Sequence, residues 1–141
     1  MSVTNSEIAS ETPLSLLKRV YGYDAFRGLQ VDVIADVMAG RDTLAVLPTG
    51  GGKSLCFQAP AVVRPGLAVV VSPLISLMKD QVDTLVGNGV PAGLYNSSLT
   101  AAEKSTVVAG LREGRYRLLY VSPERLVGEG SEGFPRLRSL R

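Results

Sequence analysis

The sequence predicts an α/β fold: a mostly parallel sheet with helices on both faces, in three layers. From Thr43 onward, short apolar runs alternate with stretches of helical periodicity, the pattern of successive βα units. The runs Leu67 to Val71 and Arg117 to Val121 are apolar nearly throughout, as strands covered on both faces must be. A glycine-rich turn, Leu47-Pro48-Thr49-Gly50-Gly51-Gly52-Lys53-Ser54, separates the first run from the helix that follows it.

Taken in order, residues 1–11 are polar and read as a mobile terminus, and residues 12–141 read as the first part of one larger domain. Thr12 is an N-cap with Pro13 at the first helical position, and Leu14, Leu17, Val20 and Tyr21 share the helical face that Gly22 ends. A second helix is predicted over Gly28 to Met38, with Leu29, Val33, Ile34 and Val37 facing the core and Gly40 as its stop. Thr43 to Leu47 reads as a buried strand, Lys53 to Val63 as a helix, Leu67 to Val71 as a strand and Leu74 to Val86 as a helix. Ala92 to Tyr95 is a further strand. The helix from Thr100 to Glu113 begins with a capping box, Glu103 standing three residues after Thr100. Arg117 to Val121 is the last strand, Ser122 to Leu126 leads towards a short helix, Gly128 to Gly133 is an acidic loop, and Phe134 to Arg141 is basic.

Composition removes several classes of function. The chain of 141 residues has one cysteine, Cys56, and no histidine, which excludes an internal disulfide, histidine triads and the usual structural zinc clusters. Cys56 reads as a small hydrophobe beside the glycine turn. No apolar run reaches a membrane span and no leader pattern opens the chain, so a soluble, cytoplasmic protein with no membrane partner is expected. A net charge of +2 does not by itself argue for nucleic acid.

The glycine turn carries the chemistry. Between a strand and a helix it directs backbone N–H groups into a concavity, and the positive end of the helix dipole adds to them, which suits a polyphosphate. Thr49, Gly50, Gly51 and Gly52 let the backbone close around the anion, Lys53 reaches the β- and γ-phosphates, and the Ser54 hydroxyl supplies one ligand to Mg²⁺. Upstream, Tyr23 and Arg27 have the spacing to stack on a purine, with the Gln30 amide offering a donor and an acceptor to adenine. Core packing of the aromatics is the competing reading. In an open α/β sheet ligands gather at the carboxyl ends of strands, so Ser72, Pro73, Ser76, Lys79 and Gln81 after one strand and Ser122 and Arg125 after another are suited to a sugar-phosphate backbone. Helix capping by the two Ser-Pro pairs is the alternative there.

The segments Phe26-Arg27-x-x-Gln30, LPTGGGKSLCFQAPA (Leu47 to Ala61), VVVSPLISLMKDQVD (Val69 to Asp83), the pair Asn96-Ser97 and LLYVSPERL (Leu118 to Leu126) closely resemble the first half of the helicase core of RecQ-type DNA helicases. The resemblance runs from Leu16 to Leu126. It implies the P-loop NTPase fold of a RecA-like lobe, ATP and Mg²⁺ as cofactors, single-stranded and partly duplex DNA as partner, and ATP-driven 3′ to 5′ unwinding in recombination and repair. It implies nucleotide recognition by Tyr23, Arg27, Gln30 and residues 49–54, catalytic roles for Lys53 and Ser54, and DNA contacts by Ser72, Pro73, Ser76, Lys79, Gln81, Asn96, Ser122 and Arg125. The family usually has a small residue at position 122. Its aspartate-glutamate-alanine-histidine motif does not occur in these residues, nor do the second lobe, the zinc-binding segment or the winged helix. The expectation is thus a lobe cut short before the acidic motif, inactive as a fragment. The alternatives are a non-enzymatic nucleotide- or DNA-binding module or pseudogene product, and a small-molecule phosphotransferase, which the segments around Ser72 and Ser122 disfavour.

Overall fold

A computed structural model describes residues 11–48 and 52–124. The chain forms two compact units, Met1–Pro65 and Gly66–Arg141.

In the first unit, α1 (Pro13–Leu16) opens on a capping box in which the Thr12 hydroxyl accepts from the Ser15 N–H at 3.1 Å and the Ser15 hydroxyl accepts from the Thr12 N–H at 2.9 Å. It continues as a π-helical turn, Leu17–Tyr21, which ends at Gly22 in the left-handed region, φ 72°. The wider turn shifts the buried face by residues, so Leu16, Leu17 and Val20 enter the core while Leu14 is exposed. That corrects the expected face. Helix α2 (Gln30–Met38) starts two residues later than predicted. Leu29 is its N-cap and is 57% exposed, while Gln30 and Ile34, one turn apart, are the buried pair. Helix α3 (Lys53–Val63) has the predicted bounds and packs against α1 and α2 through Cys56, Ala59 and Val62. Its far end is tied to α2, where Arg64 Nη1 donates to the Val37 carbonyl at 3.0 Å.

The expected strand Thr43 to Leu47 is not formed. Leu44 and Val46 are 93% and 84% exposed, and the segment pairs with no strand among the described residues. Apolar character gives a strand only where a ladder partner satisfies its backbone. This segment has none among the described residues, and takes no regular secondary structure.

The second unit is a parallel sheet of β1 (Ala68–Val71), β2 (Ala92–Tyr95) and β3 (Leu118–Val121), with helices α4 (Ile75–Gly87) and α5 (Ala101–Arg112) in the connections. The strand order is β1-β3-β2, with Ala68 and Ala92 both opposite Leu118. The central strand β3 is fully buried. The connection from β1 runs past the place of β3 to reach β2, and the next one returns from β2 to β3. For connections of the usual right hand, two crossovers in opposite directions place α4 and α5 on opposite faces. Tyr95, Leu111, Leu119 and Val121 form the core on the α5 side, and alternation turns Leu118 and Tyr120 to the other face. The capping box of α5 is as predicted, Thr100 Oγ1 accepting from the Glu103 N–H at 3.2 Å and Glu103 Oε1 accepting from the Thr100 N–H at 3.1 Å.

Candidate functional site

Gly52 is the N-cap of α3 and lies in the left-handed region, φ 73° and ψ 38°. No side chain among the described residues caps this helix, so its positive end is suited to another acceptor. Lys53, the first helical residue, is exposed, and Ser54 beside it is half-buried. Thr49, Gly50 and Gly51 lie outside the described residues.

The purine residues and the glycine turn meet at one hydrogen bond. Gln30 is only 2% exposed, its Nε2 donating to the Gly52 carbonyl at 3.0 Å while its Oε1 accepts from the Arg27 N–H at 2.8 Å. A Cβ at position 52 would come within 2.1 Å of Gln30 Nε2. Glycine is therefore required at 52 twice over, for its φ and for this approach. Tyr23 is 59% exposed and Arg27 is exposed, so both lie open for stacking. The Gln30 amide is turned onto the loop backbone, a role the spacing did not reveal.

Two partners beneath this site were also missed. The Tyr21 hydroxyl donates to Gln58 Oε1, linking the end of the π-helical turn to the buried face of α3. Cys56 is buried as expected, and desolvation pushes its thiol above the ordinary range, which suits a packing residue and not a nucleophile.

These features fit a phosphate and its metal. An uncapped helix end of full length, a glycine that no side chain could replace, an exposed ammonium and an adjacent hydroxyl are the donor set of a polyphosphate cradle. Ser54 is the one residue suited to ligate Mg²⁺ among the described residues of this turn. Among the described residues no group of three or more His, Cys, Asp or Glu could hold a metal ion.

In the second unit, Ser72, Asn96 and Ser122 directly follow β1, β2 and β3, so all three stand at the carboxyl rim of the sheet. The ladder runs on into them: the Ser72 N–H donates to the Val121 carbonyl at 3.1 Å and the Ser122 N–H to the Tyr95 carbonyl at 3.4 Å. Their side chains do not form one surface. Asn96 and Ser122 are 0% and 1% exposed, and Asn96 Oδ1 accepts from the Ser98 N–H at 2.8 Å, which shapes the turn after β2. Asn96 Nδ2 and Ser122 Oγ are buried with no hydrogen-bond partner among the described residues. Ser72 Oγ accepts from the Leu74 N–H at 3.2 Å, which shapes the turn before α4. Leu74 is the N-cap of that helix and no side chain among the described residues caps it, so Ser72 is not the helix cap of the competing reading. Pro73, Ser76 and Lys79 are exposed and Gln81 is half-buried. Lys79 Nζ is 2.6 Å from Asp83 Oδ2, and that hydrogen bond raises its pKa. Arg125 lies outside the described residues.

Comparison with known proteins gives the same direction as the geometry. The DEAD/DEAH box helicase model matches residues 27–140. An ATP-dependent DNA helicase RecQ of Haemophilus influenzae is 51% identical over 120 residues, 85% of this chain and 19% of the relative. The protein of the same name in Synechocystis is 50% identical over 113 residues, 80% of this chain and 24% of the relative. The ATP-dependent DNA helicase Q-like 5 of Arabidopsis thaliana is 46% identical over 122 residues, 86% of this chain and 13% of the relative. The chain spans about a fifth of the length of such curated relatives. With more than half of its residues inside the family match, the chain belongs to the DEAD/DEAH box helicases.

Proposed function

We propose that this chain is the ATP-binding part of a RecQ-type 3′ to 5′ DNA helicase, which couples ATP hydrolysis to DNA unwinding in recombination and repair. The observation that carries the reading is the hydrogen bond from Gln30 to Gly52, which joins the purine-side residues to the phosphate-side turn. Tyr23 and Arg27 stack on adenine, and Gln30 reads its edge while holding the loop backbone. The amides from Thr49 to Gly52 surround the phosphates, Lys53 balances charge as it builds on the β- and γ-oxygens, and Ser54 orients the metal. Mg²⁺ held by Ser54 would supply Lewis-acid withdrawal of charge from the γ-phosphate. On the DNA side, Ser76, Lys79 and Arg125 hold a single strand by its phosphates, with Ser72, Pro73 and Gln81 beside them. Asn96 and Ser122 support that rim from beneath, in keeping with their burial.

These residues hold no acidic motif to position the water, so the 141-residue chain on its own binds nucleotide without DNA-stimulated turnover. The test is titration of fluorescent ADP and GDP into the chain and its Lys53→Ala and Gln30→Ala variants. Preference for ADP, lost with Gln30→Ala, and weakened binding of both nucleotides with Lys53→Ala are expected. Equal affinities throughout would overturn the assignment.

A further inference from the structure

The outer edge of β2 has a feature that nucleotide and DNA binding leave unused. In its ladder with β3, the Pro91 carbonyl accepts from the Leu118 N–H at 3.4 Å and the Tyr95 carbonyl from the Ser122 N–H at 3.4 Å. Residues 91, 93 and 95 therefore address β3. The alternation of a parallel ladder turns the N–H and C=O groups of Ala92 and Leu94 the opposite way. No strand among the described residues pairs with that edge.

Beside it runs a groove of about 540 Å³, lined by Ala92 and Leu94 at its floor, Asp83 on the α4 side, and Glu103, Val107 and Tyr116 on the α5 side. The Tyr116 wall is a built feature. A Cβ at Gly93 would meet its ring at 3.0 Å and one at Gly110 at 2.7 Å, so two glycines make room for the ring to lie between strand and helix.

We propose that this groove takes an extended peptide of another protein as a fourth strand beside β2, with apolar side chains at alternate positions and a basic residue facing Glu103. Main-chain groups at the floor of a groove are the means of strand addition, and apolar walls select alternate side chains. Charge sets the sequence preference: Lys79 is already held by Asp83 at 2.6 Å, whereas Glu103 makes no ion pair among the described residues, its Oε1 accepting only the Thr100 N–H. A carboxylate is left to meet a cation.

The probe is a fluorescein-labelled Val-Arg-Val-Arg-Val peptide titrated into the 141-residue chain by fluorescence anisotropy. Leu94→Pro removes an outward N–H without taking a bond from β3, as edge proline can, and should weaken binding about tenfold with an unchanged circular dichroism spectrum. Of two peptides methylated on opposite sets of alternate amides, one should bind and the other fail. Glu103→Gln keeps the cap and loses the charge, and should weaken the arginine peptide but not a Val-Ser-Val-Ser-Val peptide. Absence of binding, equal binding by both methylated peptides, or no effect of Glu103→Gln would overturn the proposal, whether or not Leu94→Pro folds. Sedimentation showing a dimer that Leu94→Pro dissociates would assign the edge to a second copy and overturn it as well.

Discussion

The Gln30 amide and the Gly52 carbonyl lie 3.0 Å apart, and the backbone of Gly52 adopts a conformation that only glycine takes without strain. Gly52→Ala would place a methyl group 2.1 Å from Gln30 Nε2 at φ 73°. The left-handed conformation costs about 1–2 kcal/mol for a residue with a Cβ, and the contact forces the Gln30 side chain from its place. Lower thermal stability and loss of nucleotide binding are expected. Adding Gln30→Ala removes the contact but not the conformational cost, so thermal melts should show partial recovery in the double variant.

Ser122 is buried at the end of β3, and its hydroxyl has no partner among the described residues. An unsatisfied buried polar group costs about 1–3 kcal/mol, so Ser122→Ala should stabilise the chain. Urea unfolding should move to a higher midpoint with an unchanged slope. A lower midpoint would mean that the hydroxyl has found a partner.

Lys79 and Asp83 form an exposed pair one helical turn apart, with the Lys79 pKa raised by its hydrogen bond to Asp83. Lys79 therefore stays charged throughout the neutral range, and Asp83 competes with any phosphate for it. Asp83→Asn should strengthen single-stranded DNA binding, while Lys79→Ala should weaken it alike for all sequences and lower the salt slope by about one. Filter binding over a salt series reads both effects.

Burial raises the Cys56 thiol pKa. In the folded chain the thiolate therefore appears only above the usual thiol range, and iodoacetamide alkylation at pH 8 should be much slower than in the urea-unfolded chain. The sign for stability follows from proton binding. The native state holds its proton to higher pH than the unfolded state, so the Cys56 contribution is complete below the unfolded pKa and is lost as pH rises through the folded one. Cys56→Ala should flatten that alkaline decline in pH-dependent melts.

Local chemistry made most elements legible. Helix α3 and strand β2 have their predicted bounds, and the cap at Thr100 and the stop at Gly22 rest on interactions within a few residues, which a linear pattern records. What the sequence could not determine depends on partners distant along the chain. Thr43 to Leu47 has strand composition and no ladder among the described residues, because pairing is a property of two segments and not of one. The order β1-β3-β2, the burial of Asn96 and Ser122 at the sheet rim, and the groove beside β2 follow from how the crossovers bring the strands together. Residue types at their spacing marked Gln30 as a nucleotide contact. Only the tertiary structure, by setting Gly52 within hydrogen-bond reach, decided that its amide also holds the turn.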